Sequence, residues 1–140
     1  MLFRPFPIVL IGLALTACVK AAKTAKAQAP LAVLEGSEWA PELEAGAASG
    51  ADMFVAFKSG GDVIGHGGCN RFFGNYRHSG NTLTFGPLAS TRMACPDLSA
   101  EQEFMQALQS TRTIEATHLR LVLLGEDGSP ILSLRRRDWD

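Results

Sequence analysis

From Ser59 to Pro87 a turn signal interrupts the chain about every ten residues, which leaves room only for short extended segments. Ser59-Gly60-Gly61-Asp62 is followed by Gly67-Gly68-Cys69-Asn70, then His78-Ser79-Gly80-Asn81, then Gly86-Pro87; Glu126-Asp127-Gly128-Ser129 and Pro130 come later. Such spacing predicts antiparallel strands joined as hairpins. Side-chain alternation agrees. Met53, Val55 and Phe57 fall on one face of a strand, with Ala56 and Lys58 on the other. Leu83 and Phe85 alternate with Thr82 and Thr84, and Leu119, Leu121 and Leu123 with Arg120, Val122 and Leu124. Leu132 and Leu134 follow Pro130, which can begin a strand but not sit inside a sheet. One apolar face per strand means a sheet packed on one side. The run Leu121–Leu124 is apolar on both faces and reads as a central strand.

One segment breaks the period. Ser99 with Gln102 three residues on reads as a capping box, Glu101 and Glu103 sit where a helix dipole favours anions, and Phe104, Met105 and Leu108 form a helical stripe. A helix from about Ala100 to Gln109 is expected. It is the one evident lid for the sheet, so the sheet must curl around it or close partly on itself. The fold class is mainly β (α+β): a curled antiparallel, barrel-like sheet with one packed helix. Pro41 to Ala51 reads as a loop or frayed strand, and Arg135-Arg136-Arg137 as charge that blunts an edge strand.

The N-terminus carries a different message. Arg4, an apolar stretch from Phe6 to Leu15, and Leu15-Thr16-Ala17-Cys18 have the layout of a bacterial lipoprotein signal, with Cys18 the residue to be acylated. The apolar stretch is short of the roughly 20 residues that span a bilayer. Palmitate-type chains on Cys18 would anchor the protein to a membrane without crossing it. Val19 after the cysteine is the expectation for the outer membrane, facing the periplasm. Residues 18–33, rich in Ala and Lys and free of acids, read as a flexible tether. The whole chain holds 13 Lys+Arg against 14 Asp+Glu, a net charge of −1. That balance argues against a nucleic-acid partner, which would call for a basic excess. The remaining roughly 110 residues make one domain.

The densest motif is Gly65-His66-Gly67-Gly68-Cys69-Asn70-Arg71-Phe72-Phe73-Gly74-Asn75-Tyr76, followed by Pro87-Leu88-Ala89-Ser90-Thr91-Arg92-Met93-Ala94-Cys95 and a helix with Glu101 to Phe104. This set resembles the META domain family, the HslJ-like heat-shock lipoproteins. The resemblance is carried by Gly68, Cys69 and Asn70 with Gly74 and Tyr76, by Thr91, Met93, Ala94 and Cys95, and by Gly36-Ser37-Glu38-Trp39 as an opening strand. Ala40-Pro41 departs from the pattern and is expected to interrupt that strand. The organisation is then a signal peptide at 1–17, the tether at 18–33 and a META domain at 34–140. The resemblance implies a barrel-like sheet with one helix across it. It also implies a cell-envelope protein of heat shock, stress response and antibiotic tolerance, and no established catalytic activity.

Cys69 and Cys95 admit three readings: a disulfide, since an exported chain meets an oxidising compartment and an even pair remains after Cys18; two buried thiols; or a functional thiol or metal site. The disulfide is taken as the expectation on those grounds, with two buried thiols the second reading; a metal site is disfavoured because structural zinc needs four ligands and the histidines beyond His66 are only His78 and His118. Asn70 should tie down loop backbone, Tyr76 should hold its ring in the core, and Met93 reads as core. Ser79, Ser90 and the histidines show no nucleophile–base pattern, and the Glu101/Glu103 pair reads as surface charge. The expectation is a monomeric, non-enzymatic envelope lipoprotein without cofactor or metal, held to the membrane through Cys18 and acting on an envelope protein partner. The alternative is a carrier or sensor of an apolar ligand within the curled sheet, with Phe54, Phe72, Phe73, Phe85 and Leu88 as lining.

Overall fold

The turn signals fall at the junctions between strands, and Pro130 opens the last strand. In a computed structural model that describes residues 34–42 and 52–137, the strands are β1 Glu38–Pro41, β2 Phe54–Phe57, β3 Asp62–His66, β4 Arg71–Ser79, β5 Thr82–Phe85, β6 Ala89–Ser90, β7 Thr113–Ala116, β8 Arg120–Leu124 and β9 Pro130–Arg136. The helix α1, Ser99–Ser110, lies between β6 and β7. Gly60 and Gly61 in the β2–β3 turn have φ of 79° and 84°, a region in which a side chain is strained.

All strand pairings are antiparallel. β1 to β5 pair in sequence, β7 to β9 do likewise, and β5–β7 and β9–β1 join the two runs into a closed eight-stranded barrel. β4 forks: Tyr76–Ser79 pair with β5, while Phe72 and Phe73 pair with the short β6. The β5–β7 joint is narrow. Thr82 faces Thr113, and the bonds Leu83 N–H to Arg112 O (3.1 Å) and Ile114 N–H to Asn81 O (2.8 Å) extend it. The helix packs against β5 near this joint, burying Phe104, Ala107 and Leu108.

Inward side chains fill the barrel. Trp39, Val55, Phe57, Val63, Leu83, Leu108, Leu121, Leu123 and Leu134 are wholly buried, and Phe72, Phe104 and Ile114 nearly so. Each such side chain contributes about 1.5–3 kcal/mol of transfer free energy. The Phe72 and Phe104 rings meet edge to face at 6.0 Å, which ties the helix to β4. Gly65, opposite Phe72, makes room for that ring, since a Cβ there would lie 2.2 Å from its Cζ.

Four expectations need correction. β1 runs through Ala40 and Pro41, which pair with Arg135 and Leu134; proline stands at the strand's last position, and the Glu42 N–H continues the ladder to Ser133 O at 2.8 Å. Arg135 and Arg136 do not guard an edge, because β9 is paired on both sides. The Arg136 guanidinium instead lies 5.7 Å from the Trp39 ring centroid. Ser99 does not cap α1: its N–H and hydroxyl both bond Asp97 Oδ1, and the N-cap position is Leu98. Leu119 precedes β8 and is 58% exposed rather than inside. Residues 43–51 of the expected Pro41–Ala51 loop lie outside the described residues, as does Cys18 with the tether.

Candidate functional site

Three segments distant in sequence converge at one end of the barrel: the β3–β4 loop, the stretch after β6 and the first turn of α1. The Glu101 carboxylate is their hub. Its Oε2 accepts the backbone N–H groups of Cys69 (3.1 Å) and Asn70 (2.6 Å), and its Oε1 accepts the Asn70 side-chain amide (2.8 Å). The Asn70 amide oxygen in turn accepts the Thr91 hydroxyl (3.1 Å) and the Met93 N–H (2.6 Å). Thr91 closes the circuit, its hydroxyl oxygen accepting the Arg71 N–H at 3.1 Å.

Glycine makes this approach possible. A Cβ on Gly67 would lie 2.5 Å from Glu101 Cγ, and Gly68 has φ of 111°. The Gly68 N–H donates to His66 Nδ1 at 3.1 Å. Burial by itself would raise the Glu101 pKa, but the Asn70 N–H and amide, the Cys69 N–H and the nearby His66 hold it below its ordinary value. The carboxylate is therefore an anion held by oriented donors. Cys69, 8% exposed, is bonded to Cys95 with Cα atoms 6.4 Å apart. The bond spans the same two segments that Asn70 joins.

Chemically the arrangement clamps. Both oxygens of Glu101 and both ends of the Asn70 amide are committed to hydrogen bonds within the cluster, as is the Thr91 hydroxyl. Among the described residues no group of three His, Cys, Asp or Glu side chains is placed to hold a metal ion.

The family model of the META domain matches residues 31–138, a span that includes all of the clamp's residues. The chain belongs to the META domain family. Solved structures similar to it include an NMR structure of a protein from Burkholderia xenovorans, 21% identical over 75% of this chain and 84% of that one, with a TM-score of 0.61. A crystal structure of a DUF4847 family protein from Bacteroides vulgatus is 15% identical over 77% of this chain and 97% of that one, with a TM-score of 0.57. A further NMR structure, 23% identical over 73% of this chain and 90% of that one, has a TM-score of 0.56. These likenesses establish the fold. No curated protein matches the chain.

In this META domain the motif residues divide by task. Cys69, Asn70, Thr91 and Cys95 form the clamp, with Gly68 shaping its loop. Gly74 lets β4 pass close to the 87–88 backbone, since a Cβ there would lie 2.8 Å from Pro87 O. Tyr76 places its ring edge-on to Phe57 at 4.9 Å, and its hydroxyl donates to Lys58 O at 3.2 Å. Burial raises the Tyr76 pKa, with a smaller push in the same direction from Glu35. Met93 overturns its reading as core: it is 59% exposed, and the clamp uses its backbone. Ala94 is exposed too. Glu101 is the residue that sequence reasoning missed as a site member. Its place at the start of the helix in the family pattern was visible, but its partners lie more than thirty positions away.

Proposed function

We propose that this META domain works as a non-enzymatic cell-envelope lipoprotein, anchored through acylated Cys18, that serves stress or antibiotic tolerance by contacting another envelope protein. The observation that carries this reading is the contrast between inside and outside. The barrel interior is occupied by its own side chains from Trp39 to Leu134, while clefts of about 620 and 520 Å³ open on the outer surface. A carrier of apolar cargo needs the reverse. Of its expected lining, Phe72 fills the core and Phe73 points outward, 56% exposed. The clamp supports a scaffold role, because its polar groups bond one another. A lipoprotein signal layout at the N-terminus supports the anchor.

Chemical crosslinking of intact envelopes, with and without heat or antibiotic stress, followed by affinity isolation through the domain, tests the reading. The expected result is one stoichiometric protein partner and an acyl mass on Cys18. An apolar molecule co-purifying in stoichiometric amount without a protein partner would favour the carrier instead.

A further inference from the structure

The outward residues of β2, β3 and β4 form a face that the clamp does not use. Register places Ile64 opposite Phe73, and His66 opposite both Phe54 and Arg71. Ile64 and Phe73 are 41% and 56% exposed, so a directly opposed apolar pair stands in water. Around this pair runs the 620 Å³ cleft, whose charged lining is Arg71, Arg137 and Asp52, with His66 beside them. Glu38 already balances Arg137, which leaves Arg71 as the cation of this lining open to a partner. Arg137 is held in place: its Nε lies 3.2 Å from Glu38 Oε1, and its guanidinium sits 4.9 Å over the Phe54 ring. Arg71 is exposed, and no carboxylate among the described residues pairs with its guanidinium.

We propose that this face docks an extended, acidic segment of a protein partner, with a carboxylate against Arg71 and an apolar side chain over Ile64 and Phe73. The inference rests on the protein-contact reading above and names its surface. The Arg71 guanidinium, without a carboxylate partner among the described residues, selects a carboxylate in the docked segment. The strand selects its spacing: Arg71 and Phe73 are two residues apart on β4, and alternate side chains on an extended chain stand about 7 Å apart on one face. An acid and an apolar residue two positions apart in the partner match them. The site is concave, so a peptide enters it more readily than a flat lipid surface would.

The test uses the isotope-labelled full chain in detergent and two synthetic peptides, acetyl-Ser-Asp-Ser-Leu-Ser-Asp-Ser-amide and its lysine counterpart. The acidic peptide should shift the backbone amides of residues 64–66 and 71–73, and the lysine peptide should bind about tenfold more weakly. Arg71→Glu should reverse that preference, and Phe73→Ser should weaken binding of the acidic peptide; circular dichroism verifies that both variants stay folded. Equal response to the two peptides, no response at these residues, or a response only to phosphatidylglycerol vesicles overturns the proposal. In envelopes, loss of the crosslinked partner on Arg71→Glu supports it. An undiminished complex overturns this face while leaving the protein-contact reading intact.

Discussion

Trp39 and Glu101 each join segments that are far apart in sequence, by opposite chemistry. Trp39 is wholly buried on β1, and its one polar atom is satisfied locally, Nε1–H donating to Ser37 Oγ at 2.6 Å. Its ring holds β1 in the core by area, which is not directional and tolerates small movements. Glu101 sits at the half-exposed barrel end and works through three directional donors from the Cys69–Asn70 loop. Irregular backbone leaves N–H groups without ladder partners, so the loop needs an acceptor more than it needs apolar area. The wall of the barrel is thus held by burial, and its clamped end by a carboxylate, an amide and a disulfide.

The strongest way to break the wall is Trp39→Ala. The expected loss is about 3–5 kcal/mol, as for other large aromatic truncations, read as a lower midpoint in chemical denaturation with the slope unchanged. A loss under about 1 kcal/mol would mean that β1 is not integral to the barrel. The clamped end is tested by Cys69→Ala with Cys95→Ala. The cysteines are 26 positions apart, and releasing a loop of that length should lower stability by about 3–4 kcal/mol in the chain-entropy model. Reductant should lower the stability of the parent protein by a similar amount and leave the double variant unmoved.

The wall was more legible in the sequence than the clamp. Met53, Val55 and Phe57 announce an inner face because their period of two is local, and they are inside. Phe72 and Phe73 are adjacent and equally apolar, so alternation alone could not say that Phe72 turns inward and Phe73 outward; that follows from the β4 register against β3 and β6. Closure was legible only as a need to curl. The β9–β1 and β5–β7 pairings that complete the barrel join distant segments, and no local pattern encodes them. The clamp is harder still. Asn70 as a loop tie could be read from residue type, but an acidic residue in a first helical turn has an ordinary local purpose. Only the folded chain brings Glu101 beneath Gly67 and reveals why that position lacks a side chain.

Glu101→Gln sharpens the comparison most finely, because it keeps the shape and changes the charge. One oxygen becomes an NH₂ that faces donors, so at neutral pH the expected loss is about 1–2 kcal/mol, near the cost of disturbing a charged hydrogen-bond acceptor at a partly exposed site. The pH dependence carries the diagnosis. The folded Glu101 pKa lies below its ordinary value of 4.5, so the unfolded chain binds the proton more readily. The carboxylate's contribution is therefore complete above about pH 4.5 and is lost as pH falls through the depressed folded value. Denaturation midpoints of the parent protein should fall across that acidic window. Those of Glu101→Gln should fall less steeply, so that the two curves converge at low pH. Parallel curves would mean that the carboxylate's charge is not what holds the loop. The clamp would then rest on Asn70 and the disulfide, and its difference from the barrel wall would be one of geometry rather than electrostatics.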